Sequence, residues 1–366
     1  MLESVMKGSP MKTYFHCTLL GGGLFLMGAA APLIAAPAPA PAYHLARKIA
    51  LTGEGRWDYI TVDSAAQRLY VSRSTHVNVV DLKTGTVVGD IPDTAGVHGI
   101  AIDPKSGHGF TSNGRSNTVT IFDLKTLAKV AEVAVGTGPD CIIFDPATKR
   151  VFTFNGRSND ATAIDGATGK VIGTVVLPGR PEYAVADGKG MIYNNIEDKS
   201  EVAAIDAKTL KVENVWPIAP GDGPSGIAMD IKARRVFSVC GNQKMTVLDA
   251  DTGKLVATLA VGNGPDASAF DPALGIALGI AFSPNGEDGT LNVVRESGPN
   301  QFHVLATVPT QAGARTMALD PKTHHVYLMT ATMQPAPPAD PAAPTGGTPP
   351  RRGVVPGSYV VLDFAP

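Results

Sequence analysis

An aspartate recurs along this chain with a step near 42 residues, and that period constrains the fold more than any other feature of the sequence. It falls at Asp63, Asp103, Asp145, Asp187, Asp230, Asp271 and Asp320, in steps of 40, 42, 42, 43, 41 and 49 residues. A second aspartate keeps the same beat at Asp81, Asp123, Asp165, Asp206 and Asp249. Each unit reads as an apolar alternation ending in Asp, a turn, a second apolar run, a polar loop, a third run ending in Asp, a turn of the Thr-Gly-Lys kind and a fourth run. Three of the units then lead into Gly-x-Gly-Pro. Runs such as Val119-Thr-Ile-Phe122 carry the period of two that strands require, and turns such as Asp251-Thr-Gly-Lys separate them.

Units of four short antiparallel strands at this spacing are the signature of a propeller blade. One blade cannot bury both of its faces, whereas seven packed radially do, and most strand edges are then hidden. The predicted fold is all-β: a seven-bladed β-propeller with four antiparallel strands per blade. The final run, Tyr359 to Asp363, matches a third strand, and His44 to Ala50 matches a fourth, so the last blade is predicted to be closed by the N-terminal strand. Residues 43–366 form a single domain in this reading. Two units depart from the pattern. The sixth lacks the second Asp, and the seventh carries a Pro-rich insertion at 333–356 between its second and third strands, read as a surface loop.

Residues 1–42 read as a signal peptide and Pro/Ala-rich linker. Lys7 and Lys12 precede an apolar run from Thr18 to Met27 and small residues from Gly28 to Ala36, with a second candidate start at Met11. Cleavage is placed after Ala42, with Gly28-Ala29-Ala30 as the alternative. The apolar run is short for a membrane span. The protein is therefore expected to be exported, periplasmic or extracellular, with no span in the mature chain. The formal net charge is −2, and losing residues 1–42 removes two Lys and one Glu to leave −3. No nucleic acid partner is expected from that balance. Cys141 and Cys240 lie on non-adjacent units, so no disulfide is expected between them.

The units Asp103-Pro to Asp123-Leu-Lys-Thr and Asp145-Pro to Asp165-Gly-Ala-Thr-Gly-Lys resemble the YVTN repeats of YncE-like and surface-layer-associated proteins, and the likeness runs over residues 44–366. The resemblance implies export and a propeller. It implies no single reaction, because that family spans binding proteins and exported proteins of unsettled role, with lactonase and lyase propellers more distant.

In a propeller the connection leading into each innermost strand and the loop between second and third strands open on one face. Counting back five residues from each first Asp gives Asp58, His98, Asp140, Glu182, Ser225, Asp266 and Arg315, a ring rich in carboxylates. Asp140, Glu182 and the loop residue Asn195 are candidate ligands for a divalent cation such as Ca²⁺, and His98 is a candidate general base. The alternative is a solvated ring with Arg315 bridging Asp266 and Asp58. Identical pentapeptides, Asn113-Gly-Arg-Ser-Asn117 and Asn155-Gly-Arg-Ser-Asn159, place Arg115 and Arg157 on neighbouring blades. With Asn113, Asn155, Asp58 and Arg315 they are the candidate ligand-binding residues. Trp57 and Tyr59 are expected to pack at the blade junction. Two functions remain open: a scaffold binding a protein, glycan or small anionic ligand through this top face, or a metal-dependent, lactonase-like hydrolase or lyase at the channel mouth. No nucleophile elbow, phosphate loop or zinc motif is present.

Overall fold

Side chains alternate across a strand, so a sheet with neighbours on both sides needs apolar residues in both phases, and this chain supplies them. The computed structural model describes residues 13–16, 42–272, 279–298, 300–335 and 353–366. Within Pro39–Pro366 it forms seven antiparallel sheets of four strands each. Within Met1–Ala38 only residues 13–16 are described, and they have no regular structure. The remainder of the predicted signal segment, Cys17 and the middle of the Pro-rich insertion lie outside the described residues.

The innermost strands of blades 1 to 7 are Ile60–Asp63, Val97–Asp103, Pro139–Asp145, Pro181–Ala186, Pro224–Asp230, Ala269–Asp271 and Thr316–Leu319. Strand order follows the chain in six blades. In blade 7 it runs Thr316–Leu319, Val326–Thr330, Val360–Ala365 and then His44–Ala50, the N-terminal strand. His44 lies opposite Ala365, and Ala50 opposite Val360.

The core is divided into seven apolar clusters, each bridging one pair of adjacent blades. Strand alternation causes the division. Leu69 and Val71 pack toward blade 7, whereas Tyr70 between them packs toward Phe122 of blade 2. Phe152 and Phe154 face blade 4, and Val151 faces blade 2. Full burial of such side chains stabilises the fold by about 1.5–3 kcal/mol each. Cys141 and Cys240 are both free and buried.

The aspartate periods have a local cause. Asp81 Oδ1 accepts hydrogen bonds from the Lys83 and Thr84 amides and from Thr84 Oγ1. Asp123, Asp165 and Asp249 repeat the arrangement with Thr126, Thr168 and Thr252. The first aspartates cap the turn that follows them in the same way. Asp63 accepts from the Ala65 and Ala66 amides, and Asp145 from the Ala147 and Thr148 amides and Thr148 Oγ1. Each such carboxylate gathers amides that the turn leaves without strand partners.

Blade 6 shows what happens without the second aspartate. Arg295 holds its place, and the strands run on as Thr290–Gly298 and Gln301–Pro309, nine residues each. The next residue, Glu296, sits 1% exposed where blades 4 and 5 have the buried Ala207 and Ala250, and neither of its oxygens meets a donor. In blade 7 the base of the insertion is pinched by a bridge between Met333 and Val354 and by the Gln334 amide on the Gly353 carbonyl. Among the described residues no helix is long and apolar enough to cross a membrane.

Candidate functional site

An extra residue interrupts the pairing of the innermost strand in blades 2, 3, 4 and 5, between Val97 and Ile100, Pro139 and Ile142, Pro181 and Ala184, and Pro224 and Ile227. Such bulges re-aim side chains. Here they fall at His98, Asp140, Glu182 and Ser225. Serines of the second strands pin this irregular backbone. Ser112 Oγ donates to the Asp140 carbonyl and accepts from the Gly99 amide, while Ser72 Oγ accepts from the Asp58 amide and donates to the Tyr59 carbonyl.

The structure brings Asp58, His98 and Asp140 together. His98 Nδ1 lies 2.6 Å from Asp58 Oδ2 and 3.5 Å from Asp140 Oδ1. One ligand atom from each of the three falls within 4.8 Å of the others. Asp58 also faces Arg315, whose Nη2 is 3.7 Å from Asp58 Oδ1 and whose Nε is 2.8 Å from Asp266 Oδ2. Glu182 is turned elsewhere and accepts a hydrogen bond of 3.2 Å from Tyr59 Oη. Tyr59 belongs to blade 1 and Glu182 to blade 4, so this side chain crosses the propeller axis. Its ring sits 4.8 Å from that of Tyr183 and is 5% exposed. The expectation that Tyr59 packs at a blade junction is corrected: its ring packs on Tyr183 and its hydroxyl meets Glu182, both of blade 4.

Crowded acids in a narrow well resist ionisation. Burial, then the charges of Asp58, Asp266 and Glu197, push the Asp140 carboxyl up to about 7 against the pull of His98. Burial and the charges of Asp58 and Glu197 raise Asp266 to about 6 despite Arg315. Glu182 is raised well above the carboxylate range by burial and by Asp140 and Asp266. For His98 burial works against the charged form, but the hydrogen bond to Asp58 and the charges of Asp140 and Asp58 outweigh it and hold the imidazole at about 9. An imidazole so held is protonated at neutral pH. That is the wrong state for the general base expected from the sequence.

At the rim, Arg115 and Arg157 are both exposed, and neither makes an ion pair or side-chain hydrogen bond with the described residues. Their stems are seated alike. A Cβ added at Gly96 would fall 2.6 Å from Arg115 Cγ, and one at Gly138 2.9 Å from Arg157 Cγ. Both glycines have positive φ, +71° and +66°, so a side chain there would be strained and would press on the arginine stem. The equivalent seat in blade 6, Gly264, carries Glu287 instead. Arg180, overlooked in the sequence, also stands at the rim, but is paired with Glu197 at 2.6 Å.

Three candidate residues are corrected. Asn113 and Asn155 end their strands fully buried, with their amide nitrogens on Thr118 and Thr120 and on Asp160 and Thr162. They hold the second strand to the third and cannot reach a ligand. Asn195 is also fully buried. It donates to the Ser225 and Gly226 carbonyls and accepts from Ser238 Oγ, so it joins blades 4 and 5 and is no metal ligand. Gly114 was missed as well. A Cβ there would lie 2.8 Å from the His98 ring, so the glycine of the first pentapeptide makes room for the imidazole.

No family model and no curated protein matches the chain. Among solved structures it is similar to hydrazine synthase from Kuenenia stuttgartiensis, with a TM-score of 0.65 and 17% identity over 74% of this chain and 91% of that one. It is also similar to a chain of the mitotic checkpoint complex, with a TM-score of 0.69 and 12% identity over 96% and 99%. At these identities the likeness is one of fold.

Proposed function

We propose that the protein is an exported binding propeller of the YVTN-repeat type that takes a small anionic ligand, bearing carboxylate or phosphate groups, on its top face. The carrying observation is the pair of unpartnered guanidiniums, Arg115 and Arg157, at equivalent positions of adjacent blades. Other rim and well charges, Arg180 with Glu197 and Arg315 with Asp266, already neutralise one another. The seats over Gly96 and Gly138 fix where the two arginine stems run, which lowers the entropy lost when a ligand is gripped. Polarity across the face supports the same reading, since blade 6 presents Glu287 where blades 2 and 3 present arginine. The export component rests on the sequence of residues 1–42.

Isothermal titration with citrate and with inorganic phosphate at low salt and pH 7.5 tests this. Each charge-assisted contact contributes about 1.5–3 kcal/mol, so the Arg115→Ala/Arg157→Ala double variant should bind at least ten-fold more weakly. Failure of the parent protein to bind either anion, or equal binding by the double variant, overturns the reading. Binding of a protein or glycan that ignores both arginines would move the site elsewhere on the face.

A further inference from the structure

We infer that the floor of the well, between Asp58, His98 and Asp140, is a site for one divalent transition-metal ion of the zinc or manganese class. Four observations converge there. One donor atom from each residue already lies within 4.8 Å of the other two. Asp140 Oδ1 is shielded from solvent and accepts no hydrogen bond, the single aspartate oxygen in that condition among the described residues. It faces His98 Nδ1 at 3.5 Å. The arginine of the ring is already engaged, since Arg315 Nε lies 2.8 Å from Asp266 Oδ2 and its Nη2 3.7 Å from Asp58 Oδ1.

The donor set decides the class of ion. Calcium and magnesium are held by oxygen alone, and a set of two carboxylates and one imidazole suits zinc or manganese instead. Calcium, expected from the sequence, is therefore replaced. Metal–donor bonds near 2.1 Å in a tetrahedral site put donors about 3.4 Å apart. The His98 to Asp140 separation meets that requirement as it stands. The His98 to Asp58 contact, 2.6 Å, is a hydrogen bond that opens by less than about 1 Å as the ion takes the place of the shared proton. Three protein ligands leave further coordination positions open toward the mouth of the well.

The full chain, stripped with chelator and dialysed, is titrated with Zn²⁺ and Mn²⁺, and the retained ion is counted by elemental analysis after desalting. The expected result is one ion per chain. His98→Gln and Asp140→Asn, neutral replacements of similar size, should each weaken binding at least ten-fold, while His303→Ala, which removes an exposed histidine, should bind as the parent does. Thermal melts of each variant establish that it is folded. Retention of neither ion, unchanged affinity in the His98 and Asp140 variants, or stoichiometric binding of Ca²⁺ in place of both ions overturns the inference. The Arg115→Ala/Arg157→Ala variant should bind metal normally, so failure of the anion reading and failure of this one are distinguishable.

Discussion

Asp140 and Asp145 lie five residues apart on one strand and do opposite things. Asp145, at the bottom end, is fully buried and caps a turn through two amides and the Thr148 hydroxyl. Asp140, at the top end, has an oxygen that accepts no hydrogen bond, and beside His98 it is surrounded by the charges of Asp58, Asp266 and Glu197. The same contrast separates the two faces as a whole. On the bottom, Asp81, Asp123 and Asp165 are held below the usual carboxylate range, chiefly by the turn amides of Thr84, Thr126 and Thr168. On the top, Asp140, Glu182 and Asp266 are pushed up. A carboxylate met by the backbone builds the blade, whereas one left unmet is a charge held ready for something else.

The sharpest way to break this contrast is to remove both carboxylates separately. Asp145→Ala removes a fully buried carboxylate and leaves two turn amides and a hydroxyl without their acceptor, and should lower stability by about 1–3 kcal/mol in denaturant unfolding. Asp140→Asn should cost nothing measurable. Because its folded-state pKa is raised from 3.8 to about 7, Asp140 lowers stability as pH climbs through that interval. The asparagine variant should therefore gain on the parent at pH 8 relative to pH 5. Equal destabilisation by the two substitutions would show that the top-face acid is structural after all.

Glu296 asks whether an unmet acid always marks a site. It occupies a blade interface, and burial, then Asp230, raises its pKa from 4.5 to about 7. Its penalty is absent below the unfolded value and grows as pH rises through about 7. Glu296→Gln should stabilise the protein by about 1–3 kcal/mol at pH 8 and change little at pH 4.5, read from melting temperatures. A smaller effect is expected from the two pentapeptides. Gly114→Ala should cost about 1 kcal/mol and shift the His98 ring resonances, because the new methyl meets the imidazole. Gly156→Ala should be within about 0.5 kcal/mol of neutral, since nothing lies nearer than 3.8 Å to a Cβ there. Equal costs would mean that His98 is free to move away.

These residues also show why the sequence reveals the blades more readily than the site. Turn-capping aspartates and alternating runs act over a few residues, so their period carries the fold and the closure by His44–Ala50 directly. Counting five residues back from Asp63, Asp103 and Asp145 reaches Asp58, His98 and Asp140 for the same reason. What lies beyond is long-range. Nothing near Tyr59 in sequence indicates that its hydroxyl crosses the axis to Glu182. Asn113-Gly reads as an exposed turn, yet the strand extends through Asn113 and buries it, and the turn begins one residue later. Asn195 is drawn into a neighbouring blade by Ser238, a residue 43 positions away.

Closure of blade 7 has a consequence for how such a molecule is made. The strand His44–Ala50 leaves the ribosome ahead of every blade, and its partner Val360–Ala365 leaves after all of them. Throughout synthesis the early strand has no place to go, and blades 1 to 6 can accumulate only as an open arc. A chain halted a few residues short of Val360 would lack more than a tail, because both Val326–Thr330 and His44–Ala50 would lose their shared neighbour. The ring thus tests its own completeness: the final strand to arrive is the clasp, and no nearly finished copy can wear it.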